Sequence, residues 1–239
     1  RNLVVVDQGA KIVNIKRDTD KKEMPPVIVE KSDGSAIYAT TYLSTIMERV
    51  ETYNPKYILY VVDARQSLHF EGVFRIAQML GYTNNLEHIA FGTINGSDGK
   101  PFKTRSGETL KLDELINNTK EIFLSKREEN KNMSSVDLDK IVNSIIKYAD
   151  LQNNREKSYN FDIDKFSEVS GKTGPYILYS ALRIRKILTT NTFNKGNVSD
   201  TIYNDIDKNL RLKLLDFNKY LDKAIEDRLP SVIAEYVYD

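Results

Sequence analysis

Apolar residues fall on the chain in two regimes. From Asn2 to Ile15 they alternate, then cluster on either side of Asp7-Gln8-Gly9, which predicts a β-hairpin. Pro25-Pro26 opens a second strand, Val27 to Glu30. Ser32-Asp33-Gly34 is a turn by its residue chemistry, and Ala36 to Thr40 is expected as the partner strand. Leu43, Ile46, Met47 and Val50 then recur at helical spacing until Asn54-Pro55 stops the helix. Tyr57 to Val62 is a short apolar run bounded by charge, which suits a strand buried on both faces. Asp63-Ala64-Arg65-Gln66 follows at its carboxyl end, and Ser67 or Asp63 can cap the next helix. That helix carries Phe70, Val73, Phe74, Ala77 and Leu80, and Gly81 closes it. Strand-rich and helical segments alternate through this half, so the architecture is α/β, with ligands expected at the carboxyl edge of the strands.

Beyond Gly107 the period is helical throughout. Leu112, Leu115, Ile116, Thr119, Ile122 and Phe123 share one face. Ser134-Ser135 starts a helix bearing Val142, Ile145, Ile146 and Ala149. Pro175 suits the first position of a long helix with a core stripe of Ile177, Ala181, Ile184 and Leu188. Asp207 to Arg228 reads as one helix, and Pro230 starts another. The second half is expected to be an all-helical layer. The division into domains is placed at 1–125 and 126–239.

Composition narrows the chemistry. With 239 residues, 40% apolar and 29% charged, the chain is of ordinary globular make-up. No apolar run is long enough for a membrane span, so no membrane partner is expected and the cytoplasm is the default compartment. The chain has no cysteine and two histidines, which excludes thiolate zinc sites and Cys/His or Ser/His/Asp nucleophilic sets. No protein-bound metal is expected. A net charge of +1 gives no global nucleic-acid signature, so RNA binding would need local patches such as Arg183, Arg185 and Lys186.

Four features could carry chemistry. The loop from Gly96 to Gly107 holds three glycines and the three cations Lys100, Lys103 and Arg105. It either closes over polyphosphate or is a solvated hairpin, and it is not a Walker A sequence. His69, in the first turn of its helix beside Gln66, either contacts a phosphate or adenine or simply packs. Tyr38 and Gln66 fall near strand ends and either converge on a small ligand or belong to the core. Tyr176, Tyr179 and Arg183 form a second stripe about 100° round their helix. Rings beside a guanidinium stack unpaired bases, although they also simply widen a core face.

The runs VVDARQSLHFEGVFRIAQMLGY and HIAFGTINGSDGKPFKTRSGETLKLDEL resemble arginyl-tRNA synthetases closely, as do MPPVIVEKSDGSAIYAT, SYNFDIDKF and KTGPYILYSALRIRKIL. The likeness covers nearly the whole chain. It implies part of a Rossmann-type class I catalytic domain followed by a helical anticodon-binding domain, with Ser180-Ala181-Leu182-Arg183 as its Ala-Leu-Arg signature. It further implies ATP-dependent activation of L-arginine and transfer to tRNA(Arg), with Mg2+ brought by ATP and a monomer as the usual state. By the same resemblance Tyr38, Tyr42 and Gln66 face arginine, and His69, Gly92, Lys103 and Arg105 face ATP. Lys103, Thr104 and Arg105 stand in the degenerate Lys-Met-Ser-Lys-Ser loop as catalytic residues, and Tyr176, Tyr179 and Arg183 meet tRNA.

Two departures from the family pattern matter. Tyr42 stands where an aspartate usually pairs with the arginine side chain, although a guanidinium favours a carboxylate. The His-Ile-Gly-His motif is absent from the chain and is expected upstream of Arg1, and the helical domain is expected to lose its last helices. The chain alone is therefore expected to lack arginine activation. The alternative is a non-catalytic tRNA- or RNA-binding module on a synthetase scaffold. Another class I synthetase fits less well without cysteine, and a generic adenylyl-transferring enzyme would leave the tyrosine stripe without purpose.

Overall fold

The computed structural model describes residues 3–96, 99–100, 111–126, 132–190, 201 and 204–239. The chain divides into two compact units, Arg1–Phe91 and Gly92–Asp239.

The first unit opens with a three-stranded antiparallel sheet, β1 (Val4–Asp7), β2 (Ala10–Val13) and β3 (Val27–Glu30). Asp7 pairs with Ala10 across Gln8 and Gly9, which both have positive φ, as a tight two-residue hairpin requires. Asp33 and Gly34 form the expected turn, with Gly34 at φ +80° and Ser35 N–H bonded to Asp33 Oδ1 at 2.9 Å. The expected partner strand over 36–40 is replaced by a helix. One isolated bridge, Glu30 to Ala36, survives, and α1 (Tyr38–Tyr53) begins two residues later. Ala39, Leu43 and Ile46 bury one face of α1 at helical spacing, so the apolar stripe already starts inside the presumed strand.

β4 (Tyr57–Asp63), a 3-10 turn (Ala64–Gln66), α2 (Ser67–Leu80) and β5 (Asn85–Phe91) follow. The two strands pair in parallel from Tyr57–Asn85 to Asp63–Phe91, with α2 as the crossover. Gly81, at φ +100°, terminates α2. Burial on both faces of β4 was the expectation, and it is corrected: Ile58 and Tyr60 are buried, whereas Tyr57, Leu59 and Val61 are exposed among the described residues. A continuous apolar run cannot distinguish one covered face from two. Ile46, Phe70 and Val73 form the centre of this unit's core.

In the second unit β6 (Ile94–Asn95) pairs in parallel with β7 (Tyr159–Asn160), so the half expected to be all-helical contains a strand. Two residues are too short to leave an alternation in the sequence. The helices are α3 (Leu112–Ser125), α4 (Ser135–Leu151), α5 (Ile163–Phe166), α6 (Gly174–Thr190), α7 (Asp205–Leu215), α8 (Phe217–Glu226) and α9 (Ser231–Tyr238). The single helix expected over 207–228 is thus two, separated at Asp216. Ser134 caps α4 by accepting from Asp137 N–H, as its residue type predicts.

α6 corrects a further expectation. Thr173 precedes it and accepts from Tyr176 N–H at 3.3 Å, which places Pro175 second in the helix and still within the tolerated first turn. Burial on α6 is confined to Gly174 and Pro175, while Ile184 and Leu188 of the supposed core stripe are exposed among the described residues. The helical period was real, but the fully buried residues of α6 are in its first turn, where Gly174 meets the Ser144 backbone.

Candidate functional site

The expected ligand residues of the first unit come from two helix beginnings at the carboxyl end of β4. Tyr38 and Tyr42 lie one turn apart on α1, and Gln66 and His69 one turn apart across the start of α2. The Tyr42 and His69 rings meet edge-on with centroids 5.4 Å apart. Tyr42 also packs edge-on against Tyr60 at 5.7 Å and Phe70 at 5.1 Å. His88 of β5 stacks on Phe70 at 4.7 Å and hydrogen-bonds the Val62 carbonyl at 3.0 Å. One aromatic cluster therefore fixes His69 and Tyr42 together. Tyr38 is 82% exposed and Gln66 is exposed, so both stand at the open side of this cluster's helices rather than in the core.

His69 presents an unsatisfied donor or acceptor: its Nε2 is buried without a hydrogen-bond partner among the described residues. Burial lowers the imidazole pKa and so favours the neutral ring. An open groove of about 340 Å³ adjoins it, lined by Ile15, Pro25, Pro26 and Val27 on one side and Arg65, Leu68 and His69 on the other.

Asp63, at the strand end, is expected from the sequence either at the ligand edge or as a helix cap. Its carboxylate does accept Arg65 N–H at 2.8 Å, and it also takes the Arg65 guanidinium through both oxygens, at 2.9 and 2.8 Å. Those bonds hold its pKa at about 2. Ser67 donates to the Ala64 carbonyl rather than capping α2.

Gly92 belongs to the second unit, and close packing accounts for the absence of a side chain there. A Cβ would lie 2.5 Å from the Lys157 carbonyl carbon and from Ser158 N. Its N–H donates to the Arg155 carbonyl at 2.8 Å. Lys103, Thr104 and Arg105 lie outside the described residues.

The tyrosine stripe of α6 separates into two roles. Tyr176 is half-buried and packs on Tyr238 of α9 with centroids 5.9 Å apart. Tyr179 is 55% exposed, and the Arg183 guanidinium sits over its ring at 5.6 Å. A ring and a cation thus stand together on an open helix face. Among the described residues no cluster of three or more His, Asp or Glu side chains could hold a metal ion, and no helix is long and apolar enough to cross a membrane.

The residue that sequence reasoning missed is Arg75. It lies on the Glu71 side of α2, away from the Phe70–Ala77 stripe, yet is only 8% exposed, and it is bonded to Asp20, Glu71 and the Ile15 carbonyl. The signal was present: a charge inside the run GVFRIAQ demands a buried partner.

Comparison with known proteins places a family boundary between residues 163 and 177, within the second compact unit. Residues 1–163 match the family model for tRNA synthetases class I (R), catalytic domain, and residues 177–239 match the DALR anticodon binding domain. The chain is 42% identical to "Arginine--tRNA ligase" of Alkaliphilus oremlandii, over 100% of the chain and 42% of that protein. It is also 42% identical to the Agathobacter rectalis protein of the same name, over 98% of the chain and 42% of that protein. The chain therefore spans less than half the length of these relatives. Among solved structures, arginyl-tRNA synthetase from Plasmodium falciparum superposes with a TM-score of 0.80 at 26% identity, covering 100% of this chain and 41% of that one. The Thermus thermophilus arginyl-tRNA synthetase gives 0.81 at 19% identity, covering 100% and 46%, and at that identity supports the fold alone. From its catalytic-domain match and the helical domain that follows, the chain belongs to the arginyl class I tRNA synthetase family.

Proposed function

We propose that the protein containing this chain is an arginine–tRNA ligase, which activates L-arginine with ATP and transfers it to tRNA(Arg). The observation that carries the reading is 42% identity to arginine–tRNA ligases along the entire chain, across both units. In the reaction the arginine carboxylate attacks the α-phosphorus of ATP and pyrophosphate leaves. A tRNA ribose hydroxyl then displaces AMP from the arginyl adenylate. No covalent bond to the protein forms, so the protein's part is positioning and charge stabilisation.

Each residue has a role that its chemistry supports. Tyr38 and Gln66 offer oxygen acceptors to the arginine guanidinium. Tyr42 adds a phenol where a carboxylate would give a charge-assisted bond, so recognition here relies on neutral acceptors. Neutral His69 lines the groove and packs its ring against the nucleotide there. Gly92 keeps its turn of chain clear of a side chain. Lys103, Thr104 and Arg105 orient the ATP phosphates, the two cations offsetting the charge that develops there and the Thr104 hydroxyl donating a hydrogen bond, with Mg2+ carried by ATP. Tyr179 stacks a base of tRNA and Arg183 holds the adjoining phosphate, while Tyr176 anchors the helix on Tyr238. We place the enzyme in the cytoplasm, acting as a monomer without a resident metal.

The test is ATP–pyrophosphate exchange and tRNA charging by the complete gene product. Exchange that requires arginine supports the reading. Exchange driven by a different amino acid refutes the substrate, and tRNA binding with no exchange under any amino acid leaves a non-catalytic RNA-binding module instead.

A further inference from the structure

The groove beside His69 has walls from two separate stretches. One is the start of α2, with Arg65, Leu68 and His69; the other is Ile15 with Pro25, Pro26 and Val27. The segment joining Ile15 to Pro25 is Lys16-Arg17-Asp18-Thr19-Asp20-Lys21-Lys22-Glu23-Met24, almost wholly polar. Such a segment cannot hold itself in place by burying apolar surface. Ile15 and Val27 at its ends pack into the core, but something else must fix the connector between them.

Arg75 is the group that does so. Its Nη1 and Nη2 donate to Asp20 Oδ2 and Oδ1 at 2.6 and 2.7 Å, Nη1 also donates to the Ile15 carbonyl at 3.0 Å, and Nε donates to Glu71 at 2.6 Å. Both side chains of the Arg75–Asp20 pair are 10% exposed. Asp20 also accepts Arg17 N–H at 2.8 Å, and Arg17 reaches Gln78 of α2 at 2.6 Å. One guanidinium on α2 thereby grips the middle of the connector and its first wall residue at once. Gly72, one turn before it, permits the approach: a Cβ there would lie 2.7 Å from the Val27 side chain and 3.5 Å from that of Ile15.

We propose that Arg75, acting through Asp20, is a positioning residue that sets the width of the His69 groove and so the affinity for the nucleotide. It touches no substrate. The proposal rests on the reading that this groove receives ATP. A rigid planar fork suits the task, because it fixes carboxylate and carbonyl in one geometry, which lysine does not.

The experiment compares Asp20→Asn, Arg75→Lys and His69→Gln in the complete gene product by ATP–pyrophosphate exchange, with a thermal melt of each. For Asp20→Asn the KM for ATP is expected to rise about fivefold or more, with kcat and the KM for arginine within about twofold. Arg75→Lys, which keeps one bond to Asp20, is expected to fall between that variant and the wild type. If both leave the KM for ATP unchanged while His69→Gln raises it, the positioning role is refuted and the groove assignment stands. If His69→Gln also leaves it unchanged, the groove does not receive ATP and both ideas fall. An equal rise in both KM values, in step with a lower melting temperature, reduces Arg75 to a purely stabilising residue and also refutes the proposal. Should Arg75→Lys fail to fold, the nearly isosteric Asp20→Asn decides alone.

Discussion

Replacing Gly174 with alanine tests how α6, the helix carrying Tyr179 and Arg183, is seated. By helix propensity alone the change should stabilise the helix, by less than the ~1 kcal/mol of an interior position because Gly174 is its first residue. Packing predicts the reverse. The new Cβ would lie 2.0 Å from the Ser144 carbonyl oxygen, 2.2 Å from its carbon and 2.7 Å from Ile145 N. A carbon–oxygen contact normally opens at about 3.3 Å, so the shortfall is about 1.3 Å. Every obstructing atom is backbone of α4, in the stretch that buries Val142, Ile145 and Ala149, so no side-chain rotation relieves it. Overpacking of this kind costs about 1–3 kcal/mol and more where backbones must part. A net loss of about 2 kcal/mol corresponds to a roughly thirtyfold fall in amide protection. Hydrogen exchange at the amides of α4 in wild type and Gly174→Ala reads this directly. Gly171→Ala is the control: it meets nothing within 4 Å and is disfavoured only by its φ of +74°. Unchanged or increased protection in Gly174→Ala would refute the backbone-contact argument.

Three further outcomes follow from the same geometry. Tyr179→Ala in the complete gene product should weaken tRNA binding about tenfold, from the loss of about 1–2 kcal/mol of base stacking, while arginine-dependent exchange is kept; filter binding measures it. Tyr42→Phe keeps the ring contacts with Tyr60, His69 and Phe70 and removes only the hydroxyl. The KM for arginine should then rise about tenfold, from a lost hydrogen bond to a charged group of about 1.5 kcal/mol, with the melting temperature unaltered. The Asp20 carboxyl, held at about 2 chiefly by its hydrogen bonds from Arg75, titrates below its unfolded value of 3.8. The unfolded state then binds the proton first, so the stabilisation from this group is complete above the unfolded pKa and is lost as pH falls toward the folded value. The melting difference between wild type and Asp20→Asn should accordingly shrink as pH is lowered from about 5 to about 2. A difference that stays constant over that range would show that Asp20 stabilises by packing and not by charge.

Much of the architecture lies open in the sequence because it depends on neighbours along the chain. The hairpin at Gln8-Gly9, the stop at Gly81, the cap at Ser134 and the parallel strand–helix–strand unit each follow from residue chemistry within a few positions. The motifs from Val61 to Tyr82 likewise carry the family. Helical period also locates α6, yet it cannot say whether the stripe of Ile184 and Leu188 is covered, because period reports which residues share a face and not what lies opposite.

What tertiary structure alone decides are the meetings between distant segments. Gly92 is required by the backbone at Lys157 and Ser158, and Gly174 by Ser144 and Ile145. The β6–β7 pairing joins Ile94 to Tyr159, and the Arg75–Asp20 pair spans 55 positions. His69 and Tyr42 converge through a ring cluster that gathers residues of α1, β4, α2 and β5. Local propensities fix the form of each element, but a clash, an ion pair or a ring contact between elements depends on their separation in space. The sequence by itself therefore determined most of the elements and the family, and the fold decided the rest and which side chains could act together.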